Sequence, residues 1–385
     1  MRFVILMGTV SLLADMTYEG GRSIAGPYLG LLGASGAAVG FVAGFGEFVS
    51  YALRMIFGFL SDKTRQYWAI AFTGYLINLL AIPMLALTGH WPVAAGLLIM
   101  ERVGKGIRNP ARDVMLSYAT ETMGRGWGFG LHEAMDQTGA TLGPLVVAAM
   151  LYFKRGYHQS FAILAVPALL ALAALTACWY LIRHPEDLEG KRLELETTGF
   201  PIRFWFYLAG VGLLAAGYAD FPLIAYHFRK TAHIAEPWIP TLYALAMAVE
   251  AVAALSFGRL FDRMGAKTMA LGAMASTFFA PLVFQQHFLG CLAGMVLWGI
   301  GMGAQGSVMK AVVAELVAKD RRGAAYGIYN AAYGLMWFAG SALIGFLYDK
   351  SIPAVIIFSI ASQAAAIPIF LGIRDQPQSS IIEAT

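Results

Sequence analysis

The chain has 385 residues, a formal charge of +4 and 58% hydrophobic residues, with only 13% Asp, Glu, Lys and Arg. That charged share is about half the norm for soluble domains and is too small to clothe a water-soluble core of this size. A soluble luminal or nuclear domain is therefore excluded, and the small, unclustered positive charge leaves no nucleic-acid footprint. The two cysteines, Cys178 and Cys291, both lie inside apolar runs and supply neither a disulfide framework nor a Cys-rich metal site.

A bilayer-crossing helix needs roughly 20 mostly apolar residues. Such runs fall at 3–31, 37–60, 67–89, 92–114, 127–152 and 159–183, then at 202–226, 237–258, 267–287, 289–313, 325–347 and 352–373. The first is too long for the apolar region of a cleavable signal and is read as a span. No alternating barrel pattern occurs, so helices must satisfy the backbone within the bilayer. The longest polar stretch, Arg183 to Pro201, divides the twelve spans into two sixes. The expected organisation is an all-α membrane protein with one bundle over 1–183, a cytoplasmic linker over 184–201 and a second bundle over 202–385. With the N-terminus in the cytoplasm, 18 of the 27 Lys and Arg fall in cytoplasmic segments, and only Lys154, Arg155, Arg229, Lys230 and Lys350 lie outside. That bias places both termini inside.

An ionisable side chain near the bilayer centre costs about 2.5–3.5 kcal/mol on insertion scales, so each one is a candidate functional group. Span 1 carries Asp15, Glu19 and Arg22, whose i, i+4, i+7 spacing puts them on one face that should line a cavity. Asp15 and Glu19 can bind protons or a cation; the alternative is a Glu19–Arg22 pair that neutralises itself. Pro27 can bend the outer part of this helix. Span 2 carries Glu47 and Arg54, and span 4 carries Glu101, Arg102, Lys105 and Arg108. These are either static ion pairs joining spans 1, 2 and 4, or cations that bias the protonation of neighbouring carboxylates. Arg108, Arg112 and Asp113 near the cytoplasmic end suit gating salt bridges.

Span 5 carries His132, Glu133 and Asp136, then Gly139-x-x-x-Gly143-Pro144. His132 and Asp136 stand one turn apart, and histidine titrates nearest neutrality. The glycines permit close helix approach and the proline adds a kink. The second half is poorer in charge, with Asp220, Glu250 and Lys310 as its main ionisable groups. Trp298, Gln305, Asn330, Tyr333 and Trp337 lie at depths that suit either a cavity wall or helix packing. This asymmetry assigns proton coupling to the first half and a grip on the substrate to both.

The halves echo each other. Gly58-Phe-Leu-Ser-Asp62-Lys63 follows span 2, and Gly258-Arg-Leu-Phe-Asp262-Arg263 follows span 8. At an offset of 197, Gly104, Gly106, Arg125, Gly126, Gly130 and Gly143 meet Gly301, Gly303, Arg322, Gly323, Gly327 and Gly340. Several matches in one order mean a duplicated six-helix unit. With these motifs in place, the chain resembles the major facilitator superfamily over its whole length. The two loops resemble the superfamily's G-x-L-a-D-r motif, although Thr64-Arg65-Gln66 departs from the usual glycine-basic run. Arg102-x-x-x-Gly106 resembles the span-4 motif of proton-coupled members, and Gly139-x-x-x-Gly143-Pro144 resembles, in part, the antiporter motif of drug–proton exporters. The stretches around Asp15, Glu101–Asp113 and Arg125–Pro144 are similar to a prokaryotic subgroup of mostly unassigned substrate.

The resemblance implies two bundles rocking about a central cavity in a prokaryotic cytoplasmic membrane. Gly58, Asp62, Gly258, Asp262 and Arg263 would then act in gating. The expected function is proton-coupled efflux of a small organic solute by a monomer. Proton-coupled uptake uses the same carboxylates and is the alternative; a non-transporting sensor is a distant one. The carboxylates favour a cationic or zwitterionic cargo, while Arg54, Arg102 and Lys105 would equally hold an anion. No enzyme is expected, because HExxH, G-x-x-x-x-G-K-[ST] and a nucleophile–base set are missing from the sequence. No cofactor or metal is expected either; His132 with Asp136 is too thin a ligand set.

Overall fold

A computed structural model describes residues 2–120, 125–181, 199–317 and 321–373. The expected linker over 184–201 lies almost wholly outside the described residues, as do Arg183, Lys191, Arg192, Lys319 and Arg374 of the orientation argument. Among the described residues the secondary structure is helical throughout. The first half contains α1 (Arg2–Leu31), α2 (Gly36–Thr64), α3 (Tyr67–Met84), α4 (Trp91–Thr120), α5 (Arg125–Tyr152), α6 (Gly156–Ile163) and α7 (Ala165–Leu181). The second contains α8 (Ile202–Gly217), α9 (Phe221–Thr231), α10 (Trp238–Met264), α11 (Thr268–Thr277), α12 (Phe279–Val283), α13 (Phe288–Leu316), α14 (Arg322–Lys350) and α15 (Ile352–Gly372).

Three expected spans are broken rather than continuous, and each break has a proline as its cause. Proline lacks the N–H that would close the helical ladder, and its ring crowds the carbonyl four residues earlier. Pro167, Pro222 and Pro281 each lie three or four residues after the first residue of the α6–α7, α8–α9 and α11–α12 breaks. The break at 218–220 places Asp220 immediately before α9, with Pro222 in the helix's first turn.

Among the described residues, eight helical stretches are long and apolar enough to cross a membrane. One of them, Trp238–Val283, has 46 residues; at about 1.5 Å per residue it is twice too long for one crossing, and it turns at Gly265, where φ is 58°. Helices α1, α4 and α5 have 30, 30 and 28 residues, ample length, but they carry the charge. Together these elements are consistent with twelve crossings.

The halves meet along α1–α9, α2–α14 and α5–α10. The larger hydrophobic core crosses between the halves and takes Tyr18, Ile24, Tyr28 and Leu29 from the later part of α1. A smaller core stays within the first half and takes Phe3, Met7, Val10 and Ala14 from the earlier part. The bundles are therefore fused at the end remote from the N-terminus. There a Cβ on Gly26 would lie 1.7 Å from the Pro222 carbonyl oxygen, so only glycine permits the approach. At the other end the core around the start of α1 takes no residue from the second half. The molecule is closed at one end and open at the other.

Candidate functional site

Buried charge collects where α1 crosses the middle of the bundle. Arg22 Nη2 lies 2.7 Å from Asp220 Oδ1, across the boundary between the halves, and 3.5 Å from Glu47 Oε1 on α2. Arg102 Nη2 approaches the same Glu47 oxygen at 3.3 Å, and its Nε lies 3.2 Å from Glu101. Asn78 on α3 donates to Glu101 Oε1 at 2.7 Å. Lys105 and Arg22 both stand 3.9 Å from Glu19 Oε1, while the Tyr243 hydroxyl on α10 donates to the other oxygen at 2.5 Å. Trp337 on α14 donates to Asp220 Oδ2 at 3.1 Å.

The Glu19–Arg22 pair is thus a long, minor contact, and the principal partner of Arg22 is Asp220 in the other half. Charges leave water at high cost unless each is paired and hydrogen-bonded. Here three cations hold four carboxylates in one layer spanning both bundles. Beside it, a hollow of about 30 Å³ is lined by Arg22, Glu101, Arg102 and Asp220 together with apolar side chains that include Leu29 and Val39. That is room for about two waters.

A second layer lies nearer the open end. His132 Nε2 is 2.8 Å from the Ser11 hydroxyl, and His132 Nδ1 is 3.6 Å from Asp136 Oδ2. Arg112 reaches the same Asp136 oxygen at 3.7 Å and Asp113 at 2.8 Å. Gly139 and Gly143 seat α5 on α1: a Cβ would come within 2.1 Å of the Leu12 oxygen and 2.2 Å of the Met16 oxygen. Pro144 lies within α5, which continues to Tyr152.

Arg108 departs from the expected gating salt bridge. It is fully buried in the first bundle, with its guanidinium 4.3 Å from the Tyr75 ring centre and 5.6 Å from that of Tyr18. None of its side-chain nitrogens has a hydrogen-bond partner. One turn of shift along α4 separates it from Lys105 and Arg112, which do find carboxylates.

Among the described carboxylates that are not exposed, two stand without a cation in ion-pair range, Asp15 and Glu250. Asp15 is 6% exposed, and its Oδ1 has no hydrogen-bond partner. Glu250 follows Tyr243 by seven residues and so shares the α10 face that Tyr243 turns toward Glu19. Glu133 is exposed and takes a hydrogen bond from Gln137 at 3.2 Å.

The loop-motif residues stay apart from these layers. Asp62, Asp262 and Arg263 are exposed at the ends of α2 and α10 and make no ion pair with one another. Gly258 has open space around it, and a Cβ on Gly58 would make only an ordinary 3.9 Å contact with Pro110. Trp298 is packed, not cavity-facing: it is fully buried, and its indole donates to the Ala219 carbonyl. Among the described residues no group of three or more His, Cys, Asp and Glu could hold a metal ion. Tyr243, Asn78 and Ser11 belong to the site and escape a search for ionisable groups. Tyr243 was legible as the residue two turns before Glu250, and Asn78 as the lone amide in an apolar span.

The chain matches the family model of the Major Facilitator Superfamily over residues 9–235 and 206–384. An uncharacterised protein of Mycobacterium tuberculosis is 39% identical over 97% of this chain and 93% of its own length. An uncharacterised MFS-type transporter of Methanocaldococcus jannaschii is 29% identical over 90% of this chain and 89% of its own. Among solved structures, a variant of the nucleoside transporter NupG superposes with a TM-score of 0.78 at 13% identity, covering 96% of this chain and all of that one. A bacterial homologue of the lysosomal transporter Spinster, in an inward-facing and unoccupied conformation, gives 0.76 at 13%, covering 98% of both chains.

Proposed function

The chain belongs to the major facilitator superfamily, and from that premise we propose that this secondary transporter exports a small organic solute in exchange for protons. The observation that carries the proposal is the pair of carboxylates left without a cation, Asp15 and Glu250, beside a layer whose other carboxylates are all engaged. A bare carboxylate charge in a desolvated site demands compensation. A proton supplies it in one state, and a cargo or solvent group supplies it in the other. Asp136 is a weaker choice for this role than its sequence suggests, because Arg112 and His132 already face it.

The links that cross between the halves support alternating access. Arg22–Asp220, Tyr243–Glu19 and Trp337–Asp220 join groups that separate when the bundles rock. Export is favoured over import by the glycine seat of α5 on α1, which is where the resemblance to antiporters lies. On this reading the two six-helix bundles move as units and both termini lie in the cytoplasm. The Asp62 and Asp262 loops engage partners when the open end closes, and a monomer is the working unit.

Proteoliposomes with a pH-reporting dye test the proposal. A panel of cationic, zwitterionic and anionic solutes is applied to wild type, Asp15→Asn and Glu250→Gln. Proton movement opposite to one cargo, lost in either variant, is the expected result. Movement of proton and cargo together makes the protein a symporter, and cargo flux without protons sinks the coupling altogether.

A further inference from the structure

The seam between α2 and α14 ends in a contact that neither helix makes alone. The first four N–H groups of a helix have no partner inside it. In α2, Ser35 takes one of them, accepting from the Ala38 N–H at 3.2 Å. The N–H groups of Gly36 and Ala37 point instead at Asp349, near the end of α14 in the other half, with Gly36 N to Oδ1 at 3.0 Å and Ala37 N to Oδ2 at 2.8 Å. Both oxygens of one carboxylate are engaged, each by its own amide. Charge-assisted bonds of this kind are the stronger ones, and the positive end of the helix dipole adds to them.

The seam brings the carboxylate into register. Ser341, Gly345 and Asp349 recur every four residues on one face of α14 and lie along Gly44, Gly40 and Gly36 of α2. A Cβ on Gly40 would come within 2.5 Å of the Ser341 carbonyl oxygen, so the two backbones touch along this line. Asp349 closes the line at the sealed end of the molecule.

A second carboxylate of the second half reaches across elsewhere at the same end. Glu236, between α9 and α10, accepts from the Tyr157 hydroxyl on α6 at 3.1 Å and is held by Arg229 Nε at 3.3 Å. Both carboxylates are open to water, but only one bond crosses between the halves here against two at Asp349, so this contact is the weaker.

We propose that Asp349 is the principal latch of the mouth remote from the chain termini: it caps α2 from the opposite half, and the cap exists only while that mouth is shut. Glu236 is the auxiliary latch. Opening frees two α2 amides to water and strips the already exposed Asp349 carboxylate of both bonds, so the latch sets how often the mouth opens without touching the central site. The inference rests on alternating access and is independent of proton coupling and of transport direction.

The test uses purified protein in nanodiscs on a Cys178→Ala, Cys291→Ala background. Spin labels at His90→Cys and Gln286→Cys report the latched mouth, and labels at Gln66→Cys and Lys267→Cys report the other. In Asp349→Asn, which keeps the shape but offers one acceptor in place of two charged ones, the open-to-closed ratio rises about tenfold, in line with the loss of a helix cap. The first distance lengthens in that population while the second shortens. Alkylation of Val39→Cys, which lies beneath the mouth, accelerates by the same factor, so the shift is read even where the open state is rare. Glu236→Gln changes the ratio about twofold. Distance distributions and alkylation rates that superimpose on wild type for Asp349→Asn overturn the proposal. So does a lengthening at the first mouth without shortening at the second, which is loosened packing and not a released latch.

Discussion

The two halves place different chemistry at matching positions of the same repeat. At the offset of 197, Glu101 corresponds to Trp298, His132 to Tyr329 and Asp136 to Tyr333. The first-half members form ion pairs and hydrogen bonds with Arg102, Ser11 and Arg112. Their second-half counterparts pack aromatic bodies and spend one polar tip each, on the Ala219 carbonyl, the Met309 sulfur and Gln305. Ionised groups need partners and can exchange them; an amphipathic aromatic ring keeps one neutral arrangement. The first bundle is therefore the half whose electrostatics can switch, and the second is the scaffold against which it switches. Asp220 and Glu250 in the interior, and Asp349 and Glu236 at the sealed end, are the exceptions in the second half.

Changes at the boundary between halves should cost most. Arg22→Ala strands Asp220 and half of Glu47's pairing, and about 3–5 kcal/mol of stability should be lost, as for other broken buried pairs. A fall in detergent melting temperature measures it, and Arg22→Met with Asp220→Leu should recover most of the loss. An Arg22→Ala protein as stable as wild type would remove the charge layer from the account. Tyr243→Phe deletes a donor to a charged acceptor and should cost about 1.5–3 kcal/mol. Tyr333→Phe deletes a neutral bond to Gln305 and should cost about 0.5–1.5 kcal/mol. If Tyr333→Phe proves the more damaging of the two tyrosine changes, the contrast between switching half and scaffold is reversed.

Much of this was legible because membranes constrain sequence so strongly. Long apolar runs locate the helices, and the repeat of Gly58–Asp62 in Gly258–Asp262 locates the duplication. The helix breaks were less visible although Pro167, Pro222 and Pro281 were the signal, because other prolines, Pro27 and Pro144, lie within helices that stay continuous. Periodicity grouped Asp15, Glu19 and Arg22 on one face, yet it could not pair Arg22 with Asp220, because that contact depends on how two bundles pack. Asp349 was invisible as a partner for α2 for the same reason. An aspartate at a helix end reads as loop chemistry until the opposite helix start is brought beside it.

The Arg22–Asp220 bond also has a history in time. Its partners are 198 residues apart in the chain, which at synthesis rates of roughly 5–20 residues per second is a delay of about 10–40 s. Throughout that interval α1 already needs a place near or within the bilayer, carrying Asp15, Glu19 and Arg22. Glu19, and then Glu47, are the neighbours able to hold Arg22 while the second half is still being made. In the finished protein both contacts are longer than the bond to Asp220, which is made last.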